Sequence, residues 1–382
     1  MKPLSIALVG AAGKVAAPCH LNALDAADNL QLTALCDTNE AAIKKLGSRL
    51  GIPKVYSQFE QVLEDPSIDA VDIIVPPFLH APLAIAAAKA GKHVYVEKPM
   101  AHSLGEANEM VATAKKANVQ LMVGESYYFH GPHQLAHQLI QAGEIGEIVQ
   151  VRETKAPWVF TDAENRRLNG QGHNVPWRFD PQLSGGGDFP WTFDHGPHLF
   201  ATARLFGTQN IDRVMALPRQ RGYAPEEHRR GIASISWLYE GGDIDGSWLH
   251  AEHAPNATPW IGFRTEILGT SGSIRAFGEG GGAAPGYDQV APVTLFKQGK
   301  ARDFDLNEGP DRSWYSNNSY YDQAHTTSLS HFAHSILHQT RLRYDGHDGV
   351  QDLAATLATI KSAIEGRWVA LTDIPEHWTA YG

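Results

Sequence analysis

The chain has 382 residues, of which 43% are hydrophobic, and carries a formal net charge of −10. A single hydrophobic core seldom organises a chain of this length, so we expect two domains. The acidic balance, without any run of lysine or arginine, argues against a nucleic-acid partner, because phosphate binding needs a basic surface.

Two further features bear on the location of the protein. The longest hydrophobic stretch, residues 70–91, is interrupted by Asp72, two adjacent prolines and His80, which argues against a membrane span. The two cysteines, Cys19 and Cys36, fall on a predicted helix and at the end of a predicted strand. We expect both to be reduced thiols, which favours a cytoplasmic protein.

Residues 1–123 alternate short β-branched runs with alanine-rich segments of helical character. Strands are predicted at residues 5–10, 30–37, 54–57, 70–75, 93–97 and 120–124, and helices at 40–50, 58–65, 80–90 and 103–117. Strands that are hydrophobic on both faces and joined by helices indicate a parallel sheet covered on both sides. We therefore predict a doubly wound α/β unit.

Residues 124–382 follow a different pattern. Longer runs with a period of two, separated by turn residues, cover 147–156, 211–222, 231–250, 265–277 and 292–299. This alternation favours a mainly antiparallel sheet with one face packed on helices, and apolar residues on the other face suggest a second subunit. The helical period of residues 351–368 predicts a C-terminal helix that packs back on the domain junction.

The turn after the first predicted strand has the pattern of a dinucleotide site. Glycines let the chain turn tightly and let a pyrophosphate approach the N–H groups that open the next helix. An ordinary strand-to-helix turn is an equally good interpretation, and Pro18 conflicts with the predicted helix. The predicted cofactor contacts in this turn are Gly10, Ala12, Gly13, Lys14 and Val15.

Asp37 ends the second predicted strand, where an acidic side chain can bind the ribose hydroxyls of a dinucleotide. An aspartate that caps the following helix is the alternative interpretation. Neither Thr38 nor Asn39 supplies the positive charge that a 2′-phosphate needs, so we predict NAD rather than NADP, without excluding NADP.

The fourth and fifth strands end in "VPPFLH" and "VEKPMA". The carboxyl ends of parallel strands are where open α/β sheets bind ligands. Most lysines that precede a turn are surface residues, but an apolar strand leads Lys98 into the expected cleft. Pro99 also restricts the backbone of Lys98 to extended or turn conformations.

A second informative block is "GGGDFPWTFDHGPH", which ends at His198. Asp194 and His198 lie four residues apart, so on a helix they share a face, and the carboxylate can orient the imidazole for proton abstraction. A capping aspartate and a buried core histidine are the alternative. The histidines at 195, 198, 325, 331 and 334 raise the possibility of a metal, but no compact ligand set stands out, so we predict none.

The ordered set of glycine turn, Asp37, "VPPFLH", "VEKPMA" and "GGG…DHGPH" resembles the Gfo/Idh/MocA family, named for glucose-fructose oxidoreductase and inositol dehydrogenase. The resemblance covers nearly the whole chain. It implies an N-terminal Rossmann domain in residues 1–123 and a C-terminal α/β domain with an open sheet in residues 124–382. It further implies a bound nicotinamide cofactor and homodimers or homotetramers built through that sheet.

The same resemblance assigns roles to individual residues. Lys98 corresponds to the catalytic lysine of a Glu-Lys-Pro motif, and Asp194 and His198 correspond to the aspartate and catalytic histidine of the family. Glu97 is expected beside the cofactor ribose, and Lys98 is expected to contact the cofactor as well as the substrate. The turn after strand four, with Pro76 and His80, is expected to contact the cofactor.

Some positions depart from the family pattern. Pro77 stands where asparagine is usual, and Ala201 stands where an aspartate is common. The segment "ESYYFHGP" also differs from the usual sequence after strand six. These changes bear on the identity of the substrate more than on the reaction.

The resulting hypothesis is a dehydrogenase that oxidises a secondary alcohol of a sugar or cyclitol to a ketone and passes hydride to NAD. A glycosidase that uses NAD for transient oxidation and a non-catalytic dinucleotide sensor are the alternatives. A sensor has no need of a proton relay, which argues against it. The residues expected to bind substrate are Lys98, Tyr127, Trp177, Arg178, Asp194 and His198.

Overall fold

The structure, a computed structural model, describes residues 2–13, 16–155, 180–218, 231–250, 264–277, 291–306 and 320–382. Two β-sheets organise these residues, one of six strands and one of nine. The change between them falls after the sixth strand, which ends at Gly124, and before the seventh, which begins at Ile148. A domain boundary at residue 124 remains a prediction.

The first sheet is entirely parallel, with the strand order β3-β2-β1-β4-β5-β6. Its strands are β1 (Leu4–Val9), β2 (Leu30–Cys36), β3 (Lys54–Tyr56), β4 (Ala70–Ile73), β5 (His93–Glu97) and β6 (Leu121–Gly124). This confirms the predicted doubly wound sheet. The strand order reverses between β1 and β4, and such a reversal opens a ligand-binding crevice at the carboxyl ends of the strands.

Helices connect these strands: α1 (Ala16–Ala26), α2 (Glu40–Leu50), α3 (Phe59–Glu64), α4 (His80–Lys89) and α5 (Leu104–Ala117). Their ends follow local chemistry, since the Ser103 side chain and Glu106 form a reciprocal capping box at the start of α5. Pro18 is the third residue of α1. The first four N–H groups of a helix have no partner inside it, so a proline there removes no hydrogen bond.

The second sheet has the order β14-β13-β12-β11-β7-β10-β9-β8-β15. Among the described pairs, β7 and β10 run parallel and the others antiparallel, which confirms a mainly antiparallel sheet. The strands are β7 (Ile148–Lys155), β8 (Ile211–Pro218), β9 (Ile232–Tyr239), β10 (Asp245–His250), β11 (Arg264–Gly269), β12 (Ser273–Phe277), β13 (Val293–Lys297), β14 (Lys300–Phe304) and β15 (Val369–Ala370).

Five described helices accompany the second sheet: α6 (Gly131–Gln141), α7 (Pro181–Ser184), α8 (Pro190–Gly207), α9 (Tyr320–Leu337) and α10 (Gly346–Glu365). Helix α10 contacts α8 and β8 on one side and α5 and β6 on the other. It therefore contacts elements of both sheets. Helix α9, which the sequence pattern did not predict, packs on α1 and so covers part of the first sheet.

Two observations bear on the predicted location. Among the helices of the described residues, none combines the length and the hydrophobicity that crossing a membrane requires. Cys19 and Cys36 are both buried and are not joined in a disulfide. Burial raises the pKa of the Cys36 thiol to about 12, so this group stays protonated and unreactive near neutral pH.

Candidate active site

The glycine turn between β1 and α1 lies at the point where the strand order reverses. Gly10 has a φ of +91°, and a Cβ on it would come within 2.9 Å of the carbonyl oxygen of Ile74. The Gly10 N–H donates to the carbonyl of Cys36 (2.8 Å), and the Gly13 N–H donates to the carbonyl of Gly10 (2.9 Å). The turn is therefore compact and glycine-dependent. Lys14 and Val15 lie outside the described residues.

Asp37 connects the end of β2 to this turn. Its Oδ2 accepts the Ala12 N–H (3.0 Å) and its Oδ1 accepts the Asn39 N–H (2.8 Å). Each carboxylate oxygen has a second lone pair, so these contacts leave capacity for ribose hydroxyls. Glycine turn, helix start and acidic residue thus fit the adenosine half of a dinucleotide.

Replacing Gly10 by alanine is expected to weaken NAD binding and to cost about 1–3 kcal/mol of folding free energy, because strain and a backbone clash coincide. Gly91, with a φ of +76° and no atom within 4 Å of its Cβ position, is the matched control for strain alone. Urea unfolding and fluorescence titration with NADH measure the two effects. Equal losses in both variants would show that the close approach to Ile74 is unimportant.

The side chain of His80 connects the segments that follow β4 and β5. Its buried ring lies between two backbone carbonyls, with Nδ1 2.7 Å from the Pro99 oxygen and Nε2 2.8 Å from the Val75 oxygen. The imidazole therefore holds the end of β4 against the turn after β5, and the predicted cofactor contact of His80 stays a prediction. Pro76 opens a short 3₁₀ turn, Pro77–Leu79, at the end of β4.

Glu97, predicted to lie beside the ribose, contacts a histidine of helix α1. The side chain is 12% exposed, and its Oε1 lies 3.0 Å from Nε2 of His20 on helix α1. Tyr95, two residues earlier on the same strand, donates or accepts a hydrogen bond with Ser328 of α9. The carboxylate of Glu97 thus lies on the face of the sheet covered by α1 and α9, and its contact with the ribose stays a prediction.

Lys98 follows β5 and reaches helix α8. Its Nζ donates to the carboxylate Oδ1 of Asp194 (2.9 Å) and to the Asp194 backbone carbonyl (2.9 Å). The Lys98–Pro99 peptide bond is cis. An ammonium group has three N–H donors, of which Asp194 accepts two. The predicted convergence of the distant segments around 98 and 194 is therefore present in the structure.

His198 lies one turn of α8 beyond Asp194 and is buried. Its Nδ1 lies 2.6 Å from Oε1 of Glu125, which also accepts the Tyr127 N–H (3.0 Å). The carboxylate bonded to Nδ1 is therefore that of Glu125, whereas the sequence pattern indicated Asp194 for this role. Since Nδ1–H donates to Glu125, Nε2 carries the lone pair of the neutral ring and can accept a proton.

The local sequence of α8 explains how these side chains are placed. Gly196 lies between them, and a Cβ there would come within 2.5 Å of Oγ1 of Thr356 on α10. The glycine lets α10 pack closely and fixes the position of α8. Asp194 and His198 are four residues apart, about 6 Å along the helix axis, so they share one face.

The predicted substrate contacts have mixed outcomes. Tyr127 is buried and stacks on the His198 ring, with centroids 3.9 Å apart and an interplanar angle of 14°. One face of its ring thus packs on the histidine, and its contact with substrate stays a prediction. Trp177 and Arg178 lie outside the described residues. Trp191 instead stacks on His195 at 5.3 Å, and Nε2 of His195 lies 3.6 Å from Oδ2 of Asp194.

Glu125 and His195 were not among the predicted site residues. Glu125 directly follows β6, as Lys98 directly follows β5, so the strand-end rule that selected Lys98 applies equally to it. His195 is adjacent to Asp194 in the sequence. Its contact with Trp191 depends on the helical geometry of α8.

Comparison with known proteins gives the site its context. Residues 4–125 match the family model described as an oxidoreductase family with an NAD-binding Rossmann fold. Residues 133–275 match the model of the GFO/IDH/MocA C-terminal domain. The chain belongs to the Gfo/Idh/MocA family. It is therefore an oxidoreductase whose N-terminal sheet is an NAD-binding Rossmann fold.

Individual relatives have related activities. D-xylose 1-dehydrogenase (NADP(+)) 2 of Haloferax volcanii is 35% identical over 187 residues, 49% of this chain and 52% of that protein. Myo-inositol 2-dehydrogenase of Thermotoga maritima is 33% identical over 128 residues, 34% of this chain and 38% of that protein. The matched segments thus span about half of the xylose dehydrogenase and 38% of the inositol dehydrogenase.

A solved structure matches nearly the whole fold. An oxidoreductase from Agrobacterium radiobacter, in complex with NAD+, L-tartaric acid and magnesium, superimposes with a TM-score of 0.80 at 21% identity. The match covers 98% of this chain and 100% of that one. At this identity the likeness establishes the shared fold of the two sheets.

Proposed function

We propose that this Gfo/Idh/MocA protein is an NAD-dependent dehydrogenase that oxidises a secondary alcohol of a sugar or cyclitol to a ketone. The main supporting observation is that Asp194, which binds Lys98, and His198, which binds Glu125, lie one turn of α8 apart, beside the carboxyl ends of β5 and β6. A proton acceptor and a cationic hydrogen-bond donor are what alcohol oxidation by hydride loss requires.

In this mechanism Nε2 of His198 removes the hydroxyl proton, and Glu125 stabilises the imidazolium that forms. The Lys98 ammonium donates to the same hydroxyl oxygen as negative charge develops on it. Asp194 holds the ammonium in place through two contacts. When bound, NAD supplies the nicotinamide carbon that accepts the hydride.

The names of the two relatives above specify a sugar, xylose, and a cyclitol, inositol, which supports a substrate from these two classes. The choice of NAD over NADP is also part of the proposal. Asp37 places a negative charge at the end of β2, and the two residues that follow it, Thr38 and Asn39, are uncharged. A 2′-phosphate would be repelled there.

The test is an activity screen of the purified protein against pyranoses, pentoses and inositols with NAD and with NADP, following the absorbance of reduced nicotinamide. Reduced cofactor formed with at least one polyol, and lost in a Lys98→Ala variant, is the expected result. Release of a sugar from a glycoside without net reduced cofactor would favour the glycosidase instead. Cofactor binding without any turnover would favour a dinucleotide sensor.

We also propose that the outer face of the second sheet contacts a second copy of the chain. Leu217 on β8 and Leu249 on β10 both pair with Ser234 of β9, so they lie on either side of Ser234 on the same face. They are 59% and 56% exposed, whereas Trp237 on the opposite face is fully buried. Two exposed leucines on one face of a sheet favour a surface that contacts another protein chain.

A Leu249→Asp variant is therefore expected to shift a dimer or tetramer toward monomer in light-scattering measurements. Leu50, 41% exposed on α2, is the matched control position for an added aspartate. A wild-type monomer, or an oligomer that Leu249→Asp leaves intact, would contradict the proposed interface.

A cytoplasmic location is likewise proposed, and the two buried, unbridged cysteines support it.

A further inference from the structure

A buried charge network lies behind Lys98, on the face of the first sheet covered by α1 and α9. His20 of α1 places Nδ1 2.8 Å from Oδ2 of Asp72 on β4 and Nε2 3.0 Å from Oε1 of Glu97 on β5. The side chains of His20 and Asp72 are fully buried. One imidazole thus joins the helix after the glycine turn to two neighbouring strands.

Both ring nitrogens of His20 face carboxylate oxygens, and an ionised carboxylate only accepts hydrogen bonds. When both carboxylates are ionised, both nitrogens donate and the ring is an imidazolium. Burial raises the pKa of Asp72, and the positive charge of His20 opposes that rise. Burial opposes this charge, but Asp72 and then Glu97 outweigh burial and raise the pKa of His20 to about 10. Two carboxylates buried together without a cation would be strongly destabilising.

The same atoms have a spacing that invites a metal interpretation. One ligand atom each from His20, Glu97 and His325 lies within 4.8 Å of the others. An imidazolium has no free lone pair, however, and a metal ligand needs one. The hydrogen bonds of His20 to two carboxylates therefore favour an ion network over a metal site.

Glu97 connects this network to the catalytic residues. It directly precedes Lys98, and its Oε1 is 3.1 Å from where a Cβ on Gly124 would lie. Gly124 in turn directly precedes Glu125. The groups that face His20 from the surrounding elements are Asp72, Tyr95 and Glu97 of the sheet and His325 of α9, whose ring centroid lies 5.4 Å from that of His20.

We propose that His20 is a positioning residue whose fixed positive charge holds Glu97, and through it the strand end that carries Lys98, in register with the cofactor-binding helix. His20 contacts neither substrate nor the reacting atoms in this proposal. Its effect on catalysis passes through the backbone from Glu97 to Lys98. The kinetic part of the inference rests on the proposed dehydrogenase function, and the spectroscopic part below does not.

The first experiment measures the charge of His20 directly in the wild-type protein. Nitrogen NMR of histidine-labelled protein at about pH 8, where ordinary histidines are neutral, should show one ring with both nitrogens protonated. That signal is assigned by its absence in His20→Gln. A His20 ring with one unprotonated nitrogen at this pH would overturn the proposal, and this result needs no enzymatic activity.

The second experiment asks whether His20 acts through Glu97. His20→Gln is expected to lower kcat about a hundredfold, as for a misplaced catalytic group, with little change in NAD affinity. In a Glu97→Gln background the same change should have little further effect. His93, at the opposite end of β5, is the control position, and His93→Gln should retain wild-type kcat.

Three results separate the possibilities. Unchanged kcat in His20→Gln, or losses that simply multiply in the double variant, would overturn the positioning role. If His20→Gln does not fold, the NMR result on the wild type and the kcat of Glu97→Gln still decide the question, since an active Glu97→Gln contradicts the proposal. If the wild type oxidises no polyol, the proposed function fails while the charge of His20 is still measured.

Discussion

Replacing Lys98 by alanine is expected to lower turnover by about 10²- to 10³-fold, the usual loss when one donor to a developing oxyanion is removed. The ammonium touches Asp194 rather than the glycine turn, so NAD binding should stay close to that of the wild type. Steady-state kinetics with the best polyol of the screen, together with fluorescence titration of NADH, measure both effects.

The control for this variant must remove a comparable ion pair far from the site. Lys54 meets this need, since its Nζ lies 2.7 Å from Oδ2 of Asp65 at the end of the sheet away from α8. Lys54→Ala should keep wild-type turnover. A Lys98→Ala enzyme that is as active as the wild type would remove the lysine from the mechanism.

Glu125→Gln is expected to lower turnover by about 10²- to 10⁴-fold, the range that general base catalysis contributes. Glutamine is nearly the same size and its carbonyl can still accept a hydrogen bond. It cannot stabilise the imidazolium of His198, and its amide can stabilise the wrong tautomer of the ring. The loss should fall on kcat, because Glu125 is fully buried and contacts His198.

Glu153 of β7 is the matched control. Its Oε1 accepts a hydrogen bond from Thr202, which lies one turn of α8 beyond His198. Glu153→Gln tests whether any loss arises from a general disturbance of α8. Comparable kcat values for Glu125→Gln and Glu153→Gln would mean that the contact at 2.6 Å has no catalytic importance.

The first sheet was largely predictable because its strands are short hydrophobic runs set apart by alanine-rich helices. All six predicted strands are present in the predicted order along the chain. The conflict at Pro18 resolves once α1 begins at Ala16, because the proline falls in the first turn. The start of α1 depends on where the glycine turn ends, and helix propensity alone does not determine that position.

The second sheet was less predictable at its edges. Strand β14 is almost wholly exposed and β15 has two residues, so neither shows the alternation of a half-buried strand. Helix α9 is rich in histidine and polar residues, and its burial depends on packing against α1. Tertiary contacts of this kind leave no clear period in the sequence.

In the candidate site, local sequence patterns predicted some residues but not their distant partners. The strand-end rule and the four-residue spacing selected Lys98, Asp194 and His198. They did not select the partners, since the carboxylate on His198 comes from Glu125, 73 residues away in the chain. The inward direction of Glu97, toward His20, also depends on the sheet being covered by α1. Pairing across such distances follows from the folded structure.

A crystal structure of the protein with NAD and its best polyol tests the central claim most directly. We expect one substrate oxygen within about 3 Å of both Nζ of Lys98 and Nε2 of His198. The carbon that bears this oxygen should lie about 3.5 Å from the reactive carbon of the nicotinamide. A nicotinamide bound away from these two side chains, or a substrate oxygen that contacts neither, would contradict the proposed catalytic roles of Lys98 and His198.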